Sequence, residues 1–196
     1  MTALDLLPVS TYCLLMSGTP GPNNLMLTSS GAHFGYRSTL PQILGIVVGV
    51  AVQTALVCLG LGAVFTAYPL VQQTLRVAGA LYLVFLAVKL SKASLGEARA
   101  APTPSFAQGA LFQVVNPKSW VKAITMASLF MPPGLSPWAG ALLLALVGAV
   151  IALPSLSVWT LFGVAIRRWL SHPTAQRVFN LGMAAALLAL AVSFLR

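Results

Sequence analysis

The chain has 196 residues, of which 58% are hydrophobic and 7% charged, with a net charge of +9 and a mean hydropathy of +0.91. Soluble domains carry about 25% charged residues, so this composition excludes a soluble globular domain and indicates an integral, all-α membrane protein. A span takes about 20 apolar residues, so the length accommodates roughly six spans with short loops, and function has to reside in the bundle itself.

Hydropathy draws six segments, at about 3–30, 40–65, 70–90, 107–131, 138–164 and 178–195. The first contains a helix-breaking run, Thr19-Pro20-Gly21-Pro22-Asn23-Asn24. Proline lacks a backbone donor and clashes with the preceding turn, so the helix is interrupted here. No basic n-region precedes the segment, and its apolar character continues past the break, so it is expected to be retained as a span rather than cleaved as a leader. The freed backbone groups survive in a membrane only where protein or a wet cavity satisfies them. A half-helix starting near Pro22 would offer the N–H groups of Asn23, Asn24 and Leu25 to an anion, and the two asparagine amides suit an uncharged polar group or a zwitterion. Gly21 is expected to permit the turn. A kink used only for packing is the competing account.

Small residues follow at close-packing intervals, Gly31 with Gly35 and Gly45 with Gly49, and later Gly182 among alanines. Such stripes mark helix contacts within or between protomers. Cys13 and Cys58 lie within apolar segments without a paired partner and read as small hydrophobes. His33 and His172 fall near predicted loops, where polar interface roles are the default. Gln53 in the second span and Thr125 in the fourth are candidate lining residues.

The fourth segment repeats the theme of the first, with a break at Asn116-Pro117-Lys118. Two broken spans in corresponding halves are the best sequence pointer to a transporter's binding site. Lys118 lies roughly 18 Å along its helix, near the middle of a hydrocarbon core about 30 Å thick. A cation there faces a cavity or pairs with an acid or a carbonyl. The only acids are Asp5, near the end of the first span, and Glu97, in the third loop. A substrate carboxylate would supply the missing counter-charge; a neutral lysine, or one solvated by the carbonyls that Pro117 frees, is the alternative. Lys122, one turn on, shares that face or snorkels.

The third loop, with Pro102 and Pro104, separates two halves of three spans, about 1–100 and 101–196, within a single domain. An odd number of spans per half makes a repeat inverted in the membrane. The first, third and fifth loops carry seven Lys or Arg, including Arg37, Lys92 and Arg167, against Arg76 alone in the second and fourth. These cations read as topology signals and lipid-headgroup anchors, and nucleic acid is not an expected partner. By the positive-inside rule the odd loops are cytoplasmic and both termini lie outside. Membrane hydrolase or metalloprotease chemistry would need His, Asp or Glu constellations that the spans lack, and no phosphate-binding loop for ATP is present. The chain is not expected to be an enzyme or to hold a cofactor or metal.

Four motifs in order, Ser17-Gly18-Thr19-Pro20-Gly21-Pro22-Asn23-Asn24, Gly35-Tyr36-Arg37, Gly79-Ala80-Leu81-Tyr82-Leu83 and Gln113-Val114-Val115-Asn116-Pro117-Lys118, resemble the LysE/RhtB family of bacterial amino-acid exporters across essentially the whole chain. The resemblance implies a six-span inner-membrane exporter of small amino acids or derivatives, driven by the proton-motive force, with a homodimer as an open option. The doubled asparagine is similar to the branch that exports cysteine and O-acetylserine. Pro20, Gly21, Pro22, Asn23, Asn24, Asn116, Pro117 and Lys118 are then the candidate substrate-binding residues. A basic substrate is disfavoured, since no embedded acid would meet its side chain. Many relatives place an acid after the Pro-Gly-Pro and another in the fifth span, where this chain has Asn23 and Pro154-Ser155-Leu156-Ser157. Coupling then falls to Asp5, His33 or a neutralisable Lys118, or efflux runs down the substrate gradient alone. A passive channel and a scaffold that transports nothing remain open.

Overall fold

The computed structural model describes residues 3–92 and 103–195, and every regular element among them is a helix. Glu97, Arg99 and Pro102 lie outside the described residues, as does the side chain of Asp5. In chain order the helices are α1 (Ala3–Gly18), α2 (Pro22–Phe34), α3 (Tyr36–Leu56), α4 (Gly62–Ala67), α5 (Pro69–Ser91), α6 (Phe106–Val115), α7 (Pro117–Phe130), α8 (Pro137–Ile166) and α9 (Pro173–Leu195). The breaks fall where the prolines predict them, between α1 and α2 and between α6 and α7. The same prolines then start the next helices, because a first-turn residue has no intrahelical use for its N–H: Pro22, Pro69, Pro117 and Pro137 all sit at the first turn. Ser105 and Gln108 close a capping box at the start of α6.

Four described stretches are long and apolar enough to cross a membrane: Tyr36–Leu61, Gln73–Ser91, Pro137–Ile166 and Pro173–Ser193. The broken pairs α1–α2 and α6–α7 are shorter rods laid end to end. One feature of the second segment is absent from the sequence reading, a kink at Gly60, whose φ of 115° lies in the left-handed region open to glycine.

Three apolar clusters join the helices. Ala80, Leu83 and Ala87 of α5 pack with Ala184, Leu187 and Ala191 of α9, and this pair rests on Leu25, Met26 and Phe112 beside the two breaks. Leu27, Ile43, Ile46 and Leu156 join α2, α3 and α8. Val9, Cys13, Met126 and Leu144 join α1, α7 and α8, so Cys13 is the small buried hydrophobe expected of it. Each broken pair therefore packs on the unbroken helix of the other half.

Two of the close crossings are reciprocal. A Cβ on Gly31 of α2 would run into the Thr160 carbonyl of α8, and one on Gly163 of α8 into the Thr28 carbonyl of α2. Likewise Gly45 of α3 faces the Phe106 carbonyl of α6 while Gly109 of α6 faces the Gln42 carbonyl of α3. These notches let backbones touch, and they place Gly31, Gly45 and Gly49 in contacts within one protomer. Gly35 has a different purpose: with φ 82° it turns the chain from α2 into α3. Gly182 meets nothing within 4 Å. Arg167 Nη1 lies 3.8 Å from where a Cβ on Gly35 would sit, so the first and fifth loops share one end of the bundle, the end from which α6 also starts. Both reciprocal crossings lie between that end and the level of the breaks.

Candidate functional site

The end of α1 leaves carbonyls without helical partners, and those of Ser17, Gly18, Thr19 and Pro20 are each met by a side chain. Asn24 Nδ2 donates to Ser17 O at 2.9 Å and Thr19 O at 2.7 Å. Trp159 Nε1 of α8 donates to Gly18 O at 3.1 Å. Lys118 Nζ reaches across from α7 to Thr19 O at 2.8 Å, Thr19 Oγ1 at 2.9 Å and Pro20 O at 3.1 Å. The lysine is indeed solvated by carbonyls, but by those freed at the first break rather than the second.

The second break is closed in the same manner. Asn116 caps α7 by accepting from Lys118 N at 3.1 Å, Trp120 Nε1 donates to Val114 O at 2.8 Å, and Ser119 Oγ donates to Asn116 O at 2.7 Å. Gln113, 1% exposed, links the two breaks: its Nε2 donates to Asn23 Oδ1 at 3.0 Å, while its Oε1 accepts from Asn23 Nδ2 and from Asn116 Nδ2, both at 3.1 Å. Gln53 Nε2 donates to Gln113 O at 3.2 Å, so Gln53 supports the break and does not line the cavity.

Between the breaks lies a cavity of about 40 Å³, with Ser17, Asn23, Asn24, Asn116, Ser119 and both lysines on its polar side and Ile46, Val50, Ala152 and Leu156 on its apolar side. One water fills about 10–15 Å³ by this measure, so the space takes waters and no amino acid. Of the eight residues singled out in the sequence, Gly21, Pro22, Asn23, Asn24, Asn116 and Lys118 line it. Pro20 contributes its carbonyl to Lys118, and Pro117 lines a separate cavity of about 80 Å³ with Arg76 and Trp120. Thr125 does not line it. Lys122, which the sequence left between a shared face and snorkelling, is buried in the cavity wall and donates to Ser17 Oγ at 3.3 Å. Gln113 and Trp159 went unrecognised as site residues because their partners are 90 and 141 positions away.

Three local expectations change. Gly21 is extended, with φ −174° and ψ 176°, a conformation open to any residue. What requires glycine is space, since a Cβ would sit 2.8 Å from Lys118 Cδ and 3.0 Å from Nζ. Gly21→Ala is therefore expected to keep the fold, with an unfolding temperature within about 4 °C of the parent, and to displace Lys118 enough to cut function about tenfold; thermal unfolding alongside a transport assay checks both. The start of α2 also offers two N–H groups rather than three, because Leu25 N bonds to Gly21 O at 3.0 Å. His33, expected at a polar interface, is buried, with Nδ1 2.8 Å from Ser29 O.

This geometry, two half-helices opening on a polar cavity held by asparagines and lysines, coincides with a family assignment. The model of the LysE type translocator family matches residues 14–196. The chain belongs to that family. It is a multi-pass membrane translocator and not an enzyme. The translocator is 28% identical over 174 residues to the cysteine/O-acetylserine efflux protein of Salmonella typhimurium, covering 88% of this chain and 89% of that one. It is 33% identical over 136 residues to the cysteine/O-acetylserine efflux protein of Shigella flexneri, covering 68% and 69%. To the homoserine/homoserine lactone efflux protein of Salmonella typhimurium it is 25% identical over 172 residues, covering 85% and 84%. No solved structure matches the translocator.

Proposed function

We propose that this translocator exports small amino acids or close derivatives across the bacterial inner membrane, using the proton-motive force, through the cavity between the two breaks. The observation that carries the reading is the convergence of two helix N-termini, two lysines and buried amides on one cavity, with no acid among its lining residues. Such a lining favours a carboxylate and disfavours a cationic side chain. The apolar wall of Ile46, Val50, Ala152 and Leu156 leaves room for a short side chain only after the cavity widens. Relatives named for efflux of cysteine, O-acetylserine and homoserine support small polar substrates.

Six spans in two inverted halves, about 1–100 and 101–196 within a single domain, fit the exchange of partners between broken and unbroken helices. With the basic loops cytoplasmic, both termini lie outside and the backbone crossings of α2 with α8 and α3 with α6 seal the cytoplasmic side. The opposite half is held by softer contacts: a Cβ on Gly140 would meet Met131 Cε at 2.8 Å, and one on Gly148 would meet Met126 Cε at 3.6 Å. Flexible methionines yield more easily than backbone, which supports alternating access by rocking of one unit on the other.

Counterflow in proteoliposomes tests the reading. Vesicles loaded with unlabelled cysteine, O-acetylserine, homoserine, threonine or leucine are expected to accumulate the labelled counterpart of the small polar members with saturation, and net export is expected to slow when the proton gradient is collapsed. Absence of uptake of any of these by folded protein overturns the export reading. An export rate indifferent to the gradient overturns the proton coupling alone.

A further inference from the structure

Two lysines one helical turn apart reach the same cavity and meet opposite surroundings. The three bonds from Lys118 Nζ to Thr19 and Pro20 use all three donors of an ammonium. Lys122, 5% exposed, has a single bond among the described residues, at 3.3 Å to Ser17 Oγ. Close by are Gly148 of α8, where a Cβ would lie 3.8 Å from Nζ, and the Met126 side chain beside that position. No acid among the described residues is placed to serve it. Asp5 precedes Ser17 by twelve positions on the same helix, about 18 Å along the axis, and Glu97 is outside the described residues. A buried cation without an anion is costly, and the cost is relieved when an anion with free acceptor oxygens enters.

We propose that Lys122 is the residue that binds the substrate's carboxylate, and that Lys118 is a latch fastening the first break to α7. The assignment rests on the export reading and deepens it. The carboxylate supplies acceptors for the two donors that Lys122 leaves unused, and the N–H groups of Asn23 and Asn24 at the start of α2 add positive potential from the same cavity wall. Lys118 has no donor left to offer unless the break itself rearranges. The substrate class that follows is the free α-carboxylate, with esters, amides and lactones of the same skeleton as poor ligands.

The test uses whichever of labelled cysteine, O-acetylserine or homoserine the wild type carries in counterflow, with the unlabelled acid and its α-amide as competitors. The wild type is expected to prefer the acid about thirtyfold or more, the low end for removing one side of a buried charge pair. Lys122→Met and Lys122→Gln are expected to raise KM by a similar factor and to abolish the preference of acid over amide. Lys118→Met is expected to lower the maximal rate while keeping that preference, a split that a general loss of structure would not produce. Folded Lys122 variants that retain wild-type KM and preference overturn the assignment. So does a wild type that accepts acid and amide equally, a result that stands even if neither Lys122 variant folds. A wild type that carries none of these three, nor threonine or leucine, overturns the export reading instead, and this assignment with it.

Discussion

Gly163→Leu is expected to abolish the folded protein, and Gly182→Leu to leave it intact. At Gly163 the first added carbon already collides with the Thr28 carbonyl and would lie 2.9 Å from Thr28 C and 3.0 Å from Ala32 N. Those are backbone atoms of α2, which cannot swing aside as a side chain can. On the facing helix Gly31 is in the same position against Thr160, so relieving one clash by separating the helices also opens the other contact. Overpacking typically costs about 1–3 kcal/mol, and separation of α2 from α8 adds the lost burial of Leu27 and Leu156. Gly182 is exposed and has nothing within 4 Å, so leucine there is expected to change stability by about 0.5 kcal/mol or less. Thermal unfolding of both variants in detergent, with size-exclusion profiles, separates the two outcomes; equal behaviour would contradict the crossing.

The second large effect is expected at Asn24 and distinguishes it from its neighbour. Asn24, 3% exposed, spends its amide donors on Ser17 O and Thr19 O. Asn24→Leu leaves Ser17 O without its side-chain donor and weakens the closure at Thr19, where Lys118 still donates. At about 1–3 kcal/mol for each buried polar group left unsatisfied, the loss should be about 2–4 kcal/mol, visible as a lower unfolding temperature and low yield. Asn23→Ala is milder for the fold, because Gln113 keeps Asn116 Nδ2 as a donor and Gly109 O as an acceptor. It is half-buried and faces the cavity, so its loss is expected in counterflow rather than in unfolding. The reverse pattern, a stable Asn24→Leu with normal transport, would show that the first break does not need its cap. The two asparagines look equivalent in the sequence and do different things in the structure.

Both breaks and the helices on either side of them were legible in the sequence because they depend on local chemistry. Proline removes a donor wherever it stands, apolar runs of a given length suit a bilayer, and Ser105 or Asn116 can cap the residues that immediately follow. The six candidate residues that line the cavity were accessible for the same reason, since a broken helix in hydrocarbon has to open onto something polar. Lys118 was recognised as a buried cation in need of a partner. Its actual partner, the end of α1, lies 99 positions away, and no local pattern records that distance.

By itself the sequence determined that this chain is a helical membrane protein interrupted twice, with too few acids for hydrolytic chemistry. These properties are set by composition and by backbone chemistry within a few residues. Only the tertiary structure decided which of two lysines is saturated and which is left with spare donors, that Gln113 joins the breaks, that Trp159 closes Gly18, and that Gly21 provides space instead of a turn. Those outcomes depend on which donor lies within about 3 Å of which acceptor, a relation created when α2 meets α8 and α7 meets α1, and absent from any one helix taken alone.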